Sequence, residues 1–345
     1  CILEAGGTSF PSLWMAPPEY KDRVADRKEA EAALGGFVST AKVVDASKTK
    51  QVVHAPTLHS LSELQKEANR EFGYAIDKTL AIAQKLYEER KLLTYPRTNS
   101  RFLPTDMVPE IPNHLRQVAN VPELKKALMT VTTTQIDKVL STKDYVDNGK
   151  VTDHHAILVT TEKPDLKALS EEERNIYYLV ARRFLSIFLP PYIASNTVLK
   201  LKSGKNWLKA TGKEVVQEGY TELYNIKRKE IILPSLSKGD SVDISEKKIL
   251  DKQTNPPKRY TDATIIDAMI EAGNAIPAKE LRKVLRESDG IGTEATRAEV
   301  IKKLITKGYI AREKSCFTPT PLGKSIIAAI GARDICSPVL TAVWE

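Results

Sequence analysis

Hydrophobic positions along this chain repeat with two different periods, and the switches between them outline its organisation. Over residues 195–226, Thr197, Leu199 and Leu201 alternate with Val198, Lys200 and Lys202, the two-residue period of half-buried antiparallel strands. Residues 230–244 continue in the same way. Near the N-terminus, residues 9–15 and 36–44 are short apolar stretches divided by Gly and Pro clusters, with a charged helix candidate over 26–34. That is a pattern of strands around a helix.

Elsewhere the period is helical. Ser60-Leu61-Ser62-Glu63 has the form of a capping box and predicts a helix running to about residue 72 and stopping at Gly73. A second helix over about 77–89 carries Leu80, Ala83 and Tyr87 on one face. It leads into Leu92-Leu93-Thr94-Tyr95, where Pro96 forbids further helix. Residues 105–150 read as mixed and mostly helical, with Thr130 to Thr134 irregular or extended. Residues 170–189 form a strong helix: Ser170 caps it, Glu171 to Glu173 suit its positive end, and Ile176, Leu179, Val180, Phe184 and Ile187 form its buried stripe. Pro190-Pro191 ends it. A boundary falls near residues 251–257. Helices over 261–272, 277–286 and 294–306, a hairpin over 310–319 and a helix over 322–330 then suggest a winged-helix arrangement.

With 345 residues the chain exceeds one ordinary core and suits two to four domains. No apolar run approaches the roughly 20 residues of a membrane helix, so a soluble chain with no membrane partner is expected. The net charge of +8 allows a polyanionic partner, although many proteins this basic bind no nucleic acid. Only 6% of residues are aromatic, which argues against an extended base-stacking platform. Cys1, Cys316 and Cys336 form no CxxC pair, so neither a zinc site nor a disulfide framework is indicated, and a reducing, cytoplasmic compartment follows. An opening Cys1-Ile2-Leu3-Glu4, with neither Met nor a charged leader, reads as a stretch of a longer chain without a signal peptide.

The chemistry concentrates in three segments. In Leu93-Thr94-Tyr95-Pro96-Arg97-Thr98-Asn99-Ser100-Arg101, a phenol sits two residues from a guanidinium on a sharp exit from a helix. A phenol attacks phosphorus only where its surroundings favour the phenolate, and an arginine can fork two phosphate oxygens. An isolated Tyr-Pro-Arg is more often a packed tyrosine beside a solvated arginine. The second segment is Thr152-Asp153-His154-His155-Ala156-Ile157. Adjacent histidines do not share one metal ion without a strained backbone, so a plain histidine pair is the default there. In the third, Gly290-Ile291-Gly292-Thr293-Glu294-Ala295-Thr296-Arg297-Ala298, a glycine turn opens a helix and offers N–H groups, hydroxyls and a guanidinium to a phosphate. Turns of this kind are usually structural.

Together these segments resemble the signature of the type IA DNA topoisomerases, closest to the topoisomerase III branch. The likeness takes in Leu61-Ser62-Glu63-Leu64-Gln65, Leu86-Tyr87-Glu88 and Pro256-Pro257-Lys258-Arg259-Tyr260-Thr261 as well. It implies an α+β multidomain toroid: a β-rich arch (1–58 and 190–252), a helical domain bearing the tyrosine (59–189) and part of a winged-helix-like base (253–345). It casts Tyr95 as the nucleophile that joins the 5′ phosphate of a cut strand, with Arg97 and His154 as its catalytic partners and His155 in support. DNA contacts fall on Thr98, Arg259, Thr261, Thr293, Thr296 and Arg297. Asn99 stands where the family more often has Asp. The cut strand is opened for passage of another and resealed without a nucleotide.

Magnesium belongs to the complete enzyme, on a carboxylate cluster in an N-terminal domain. No such cluster precedes residue 60, since Asp22, Asp26 and Glu29 do not match it. The stretch is therefore expected to bind single-stranded DNA, to hold no metal itself and to be catalytically incomplete. The resemblance also implies a monomer in the cytoplasm, associated with the nucleoid, and leaves open a helicase partner. Two other classes stay open: a non-catalytic single-strand-binding module on the same scaffold, and a tyrosine relaxase or nickase. The latter needs histidines separated along a strand, which His154-His155 does not offer.

Overall fold

A computed structural model describes the chain except residues 17–20, 227, 289, 332–333 and 345 and the side chains of 275, 286 and 334. It divides into two compact units, residues 1–55 with 190–256, and residues 56–189 with 257–345. No helix among the described residues is long and apolar enough to cross a membrane.

The first unit is a sheet. Its elements are β1 (Ile2–Ala5), β2 (Thr8–Pro11), β3 (Leu13–Met15), α1 (Arg27–Gly35), β4 (Thr40–Val53), β5 (Tyr192–Ser203), β6 (Asn206–Gln217) and β7 (Ser241–Glu246). Among the described residues the strands lie in the order β2-β1-β7-β4-β5-β6-β3, each antiparallel to its neighbours. Alternation decides which side is filled. Leu3, Phe10, Val43, Leu199, Leu201, Leu208 and Val242 form one core, while Lys200 and Lys202 stand on the other side.

Two expectations are corrected here. β4 extends through the polar run Ser47 to Gln51, which carries no apolar alternation; pairing with β5 along its length makes it a strand. β6 ends at Gln217, and a 3-10 turn, Gly219–Tyr224, follows where more strand is expected.

The second unit is mainly helical. It contains α2 (Leu61–Phe72), α3 (Ile76–Glu88), α4 (Ile111–Val118), α5 (Pro122–Leu128), α6 (Thr133–Leu140), α7 (Glu171–Ser186), α8 (Asp262–Ile270), α9 (Lys279–Glu287) and α10 (Arg297–Thr306). The hairpin of β8 (Ile310–Glu313) and β9 (Cys316–Pro319), then α11 (Pro321–Ile330) and α12 (Pro338–Trp344), complete it. Gly73 ends α2 at φ 68°, the left-handed C-cap that favours glycine. Ser60 accepts from the Glu63 N–H, but the Glu63 carboxylate pairs with Lys66 at 2.5 Å, so only half of the expected capping box forms. A full box closes α7 instead, between Ser170 and the buried Glu173. Thr133 and Thr134 open α6 behind a Thr132–Gln135 box, where an irregular stretch is expected.

Between α2 and α7 the core holds charge. Glu67 takes Arg182 and Arg183 from α7, and the His59 Nε2 lies 2.8 Å from its carboxylate. Arg182 also reaches Glu71. Burial penalises the charged form of Glu67, yet His59 and the two guanidiniums outweigh it and hold the carboxyl far below its ordinary range. The C-terminal segment packs on α3 through Ile76, Ile266, Ala298, Ile301 and Phe317.

Candidate active site

The site grows from the exit of α3. Lys91 takes a left-handed φ of 58° and turns the chain, after which Leu92 and Leu93 are buried. Leu93 then bridges Val159, and the Thr94 N–H donates to the Leu158 carbonyl at 2.9 Å. The Leu158 N–H returns a bond to Thr94 Oγ1. Tyr95 thus leaves a segment already zipped to the chain that follows His154-His155.

Its half-buried ring lies 4.3 Å from the His154 imidazole, centroid to centroid, with the planes tilted by 41°. Tyr87 of α3 meets the same ring edge-on, at 5.5 Å and 80°. His154 itself is exposed. Thr98 is buried, and its hydroxyl donates to the His154 carbonyl at 3.0 Å while accepting from the Ser100 N–H. Thr98, an expected DNA contact, therefore faces inward and holds the histidine segment. Arg97 is exposed, and its Nε donates to Gln84 Oε1 of α3 at 3.4 Å. Asn99 Oδ1 accepts from the Thr152 hydroxyl at 3.3 Å, a further tie between the two segments.

His155 points away from a shared role. Its Nδ1–H donates to the Ala156 carbonyl, and burial lowers its pKa, aided by the neighbouring His114 and His154 against that backbone bond. The strand beyond it is clamped by His114 Nδ1, which donates to Val159, and by a backbone bridge between His59 and Ile157. His59 is buried as well, and burial, with Arg183 adjacent, disfavours its protonated form.

The N-terminus of α2 is where all three motifs meet. Its first turn leaves N–H groups without helical partners. The Leu61 N–H donates to the Thr98 carbonyl at 3.0 Å, and the Ser62 N–H to the Glu294 carboxylate at 2.6 Å. A carboxylate there also suits the helix dipole. Arg297 completes the joint. It is 1% exposed, with Nη1 donating to Ser62 Oγ at 3.1 Å and facing Glu294 at 3.4 Å, and Nε donating to the Ile291 carbonyl. Its guanidinium is turned inward, committed to protein groups.

The glycine turn before it has a backbone reason. Gly290 sits at φ 82°, and a Cβ there would lie 2.3 Å from the Met269 carbonyl oxygen. Thr293 and Thr296 remain exposed, their hydroxyls 3.0 Å apart, and α10 begins only at Arg297 because residues 294–296 form a turn. Arg259 is exposed ahead of α8, and Thr261 caps that helix through the Thr264 N–H. The structure thus gathers Tyr95, Thr98 and His154 into one cluster, and ties Glu294 and Arg297 to it through α2. Thr94, Ser62, Gln84, Tyr87 and Glu294 had no assigned role in the sequence. Thr94, Ser62, Tyr87 and Glu294 lie inside recognised segments, which was a usable signal, and Gln84 does not.

Comparison with known proteins follows the same lines. The sequence pattern of the DNA topoisomerase family matches residues 13–345. DNA topoisomerase 3 of Bacillus licheniformis is 37% identical over 314 residues, covering 88% of this chain and 42% of that protein. Its Bacillus subtilis counterpart is 36% identical, covering 88% and 43%, and that of Shouchella clausii 34%, covering 96% and 46%. The chain spans less than half the length of these relatives. The structure of full-length topoisomerase I from Thermotoga maritima superposes with a TM-score of 0.68 at 21% identity, over 99% of this chain and 52% of that one, a likeness of fold.

Proposed function

The chain belongs to the DNA topoisomerase family, on its type IA, topoisomerase III-like branch, and we propose that Tyr95 is the residue by which the whole protein cuts and rejoins a DNA strand. The observation that carries this reading is the tilted Tyr95–His154 ring contact, 4.3 Å between centroids, on a loop bound to the histidine segment on both sides.

In the step proposed, the Tyr95 oxygen attacks a backbone phosphorus and the bond from phosphorus to the 3′ sugar oxygen breaks. The phenol proton is lost, the departing sugar oxygen gains one, and a 5′-phosphotyrosine ester remains. The ester keeps the bond energy of the diester it replaced, so the reverse step needs no nucleotide. His154 is the proton carrier or phosphate ligand, exposed where a strand can reach it. Arg97, on the exposed side of the loop, neutralises charge growing at phosphorus. Thr98 acts as a positioning residue for His154, and Arg297 for the loop that carries Thr293 and Thr296. Arg259, Thr261, Thr293 and Thr296 are proposed strand contacts. Passage of a second strand through the break, the cytoplasmic setting and a monomeric enzyme belong to the same reading.

Magnesium, attached by the resemblance to the complete enzyme, has no ligand set here: no three His, Cys, Asp or Glu side chains converge among the described residues. The steps assigned above belong to the chain's own side chains.

The test is covalent capture. A 3′-labelled strand cut by the whole protein should become attached to it through the 5′ phosphate at the cut, and Tyr95→Phe should abolish attachment while leaving oligonucleotide binding nearly intact. Attachment that persists in the variant rejects Tyr95. A second reading is a single-strand-binding module on the same scaffold. It predicts that supplying the N-terminal region of a longer relative, with magnesium, in trans restores no capture.

A further inference from the structure

The outward side of the sheet in the first unit breaks a rule of sheet construction. Side chains directly opposite on antiparallel strands come within about 5 Å at Cβ, and like charges so placed repel. Lys42 of β4 is opposite Lys202 of β5, and Lys200 of β5 is opposite Lys209 of β6. The neighbours Ala41, Val43, Leu199, Leu201, Leu208 and Ala210 are all buried, so the four lysines share the other side. Lys42, Lys200 and Lys202 are exposed and Lys209 half-buried.

Successive outward positions on a strand are about 7 Å apart and strands about 4.8 Å, so four ammonium groups crowd a small area. Asp45 answers one of them, at 3.3 Å from Lys200. Trp207 is opposite Lys202, whose ammonium lies 5.7 Å from the ring centroid, and Met15 of β3 is next in that row. The row therefore runs from lysine to a half-exposed aromatic. Stability alone would set an acid against each lysine. Local choices that work against the fold are expected where a surface serves a ligand.

We propose that this sheet face binds the phosphate backbone of a DNA strand, with Trp207 offering a flat apolar surface to a base, as a contact area additional to the tyrosine cluster. The proposal rests on the reading of the protein as one that acts on DNA. Phosphates supply the negative charge that the lysine pairs lack, and each lysine so used releases condensed counterions. Base–aromatic contact adds sequence-tolerant affinity.

The test uses the whole chain and a fluorescent single-stranded oligonucleotide titrated at several salt concentrations. Replacing Lys42, Lys200 and Lys202 together by Gln should make the plot of log K against log salt shallower by about 2, at roughly 0.7 per contact. The thermal midpoint should hold or rise, because repulsion is relieved, and the triple Arg variant should keep the parental slope. An unchanged slope overturns the proposal, and so does an equal change on replacing the exposed Lys125, Lys126 and Lys138 by Gln. Loss of binding to polyglutamate with DNA binding unmoved would reassign the face to an acidic polypeptide and overturn it too. Tyr95→Phe should leave the slope alone. Capture that persists in Tyr95→Phe with a lysine-dependent slope thus rejects the tyrosine reading by itself, and capture lost in Tyr95→Phe with a slope unmoved by the lysine changes rejects this one.

Discussion

Tyr95 and His154 lie ring against ring at 4.3 Å, and the hydroxyl of Thr98, three residues past the tyrosine, bonds the backbone carbonyl of that same histidine. Two motifs well separated in sequence are thereby one rigid feature. A change at Thr98 should consequently be felt at His154. Thr98→Val keeps the shape and removes both hydroxyl bonds, which should cost about 1–3 kcal/mol of stability. In the parent protein the rate of covalent capture should fall more than oligonucleotide affinity. Equal losses in rate and affinity would show that Thr98 only supports the fold.

His154 offers the direct comparison. His154→Ala should slow capture by about 10²–10⁴-fold, the usual contribution of a positioned proton carrier, with the melting temperature little changed because the side chain is exposed. Single-turnover capture rates in the variant and parent check this. A parental rate in the variant would remove His154 from the reaction.

Glu294 and Arg297 should behave as a buried pair. Glu294→Ala leaves the Arg297 guanidinium without its carboxylate and the Ser62 N–H without an acceptor. Breaking one side of such a pair costs about 3–5 kcal/mol. Denaturant titration should show that loss, and Glu294→Gln, which still accepts from Ser62, should recover part of it.

Gly290→Ala should be harmful out of proportion to its size. The residue takes φ 82°, and the new methyl would press on the Met269 and Ile270 carbonyls. A cost of about 2 kcal/mol or more is expected from strain and collision combined. Single-strand affinity should fall too, because the turn presents Thr293 and Thr296. Calorimetry and an oligonucleotide titration measure the two effects.

Acid should weaken the second unit through Glu173. Burial alone would raise this carboxyl, but the Ser170 N–H, Arg90 and Lys85 outweigh it and hold the pKa at about 2, against 4.5 when unfolded. A depressed carboxylate contributes stability that is full above the unfolded value. That contribution disappears as pH falls from 4.5 toward 2. Glu173→Gln should reduce stability at neutral pH and flatten the acid limb of melting temperature against pH. An acid limb as steep as the parent's would mean that other carboxylates dominate.

How much of this was readable beforehand differs between fold and site. The buried stripe of α7, the stop at Gly73, the exit at Pro96 and the alternation of β5 are local properties, each set by side-chain period or backbone freedom over a few residues. The polar half of β4 was not readable, because its strand state comes from pairing with β5. Nor was the choice of Lys66 by Glu63, since two partners compete for one carboxylate and Asp267, far along the chain, helps to fix where the lysine sits.

By itself the sequence determined which residues could do chemistry: a phenol beside a guanidinium, a histidine pair, a glycine turn at a helix start. It also determined most of the helices and the strands with clean alternation, because those depend on neighbours within one or two turns. Only the tertiary structure decided which of those groups turn inward and which outward. Arg297 and Thr98 are turned inward, Arg97 and His154 outward, and four lysines stand together on one sheet face. Such outcomes depend on which distant segments offer a hydrogen bond or a charge in the finished packing, and no local pattern records that.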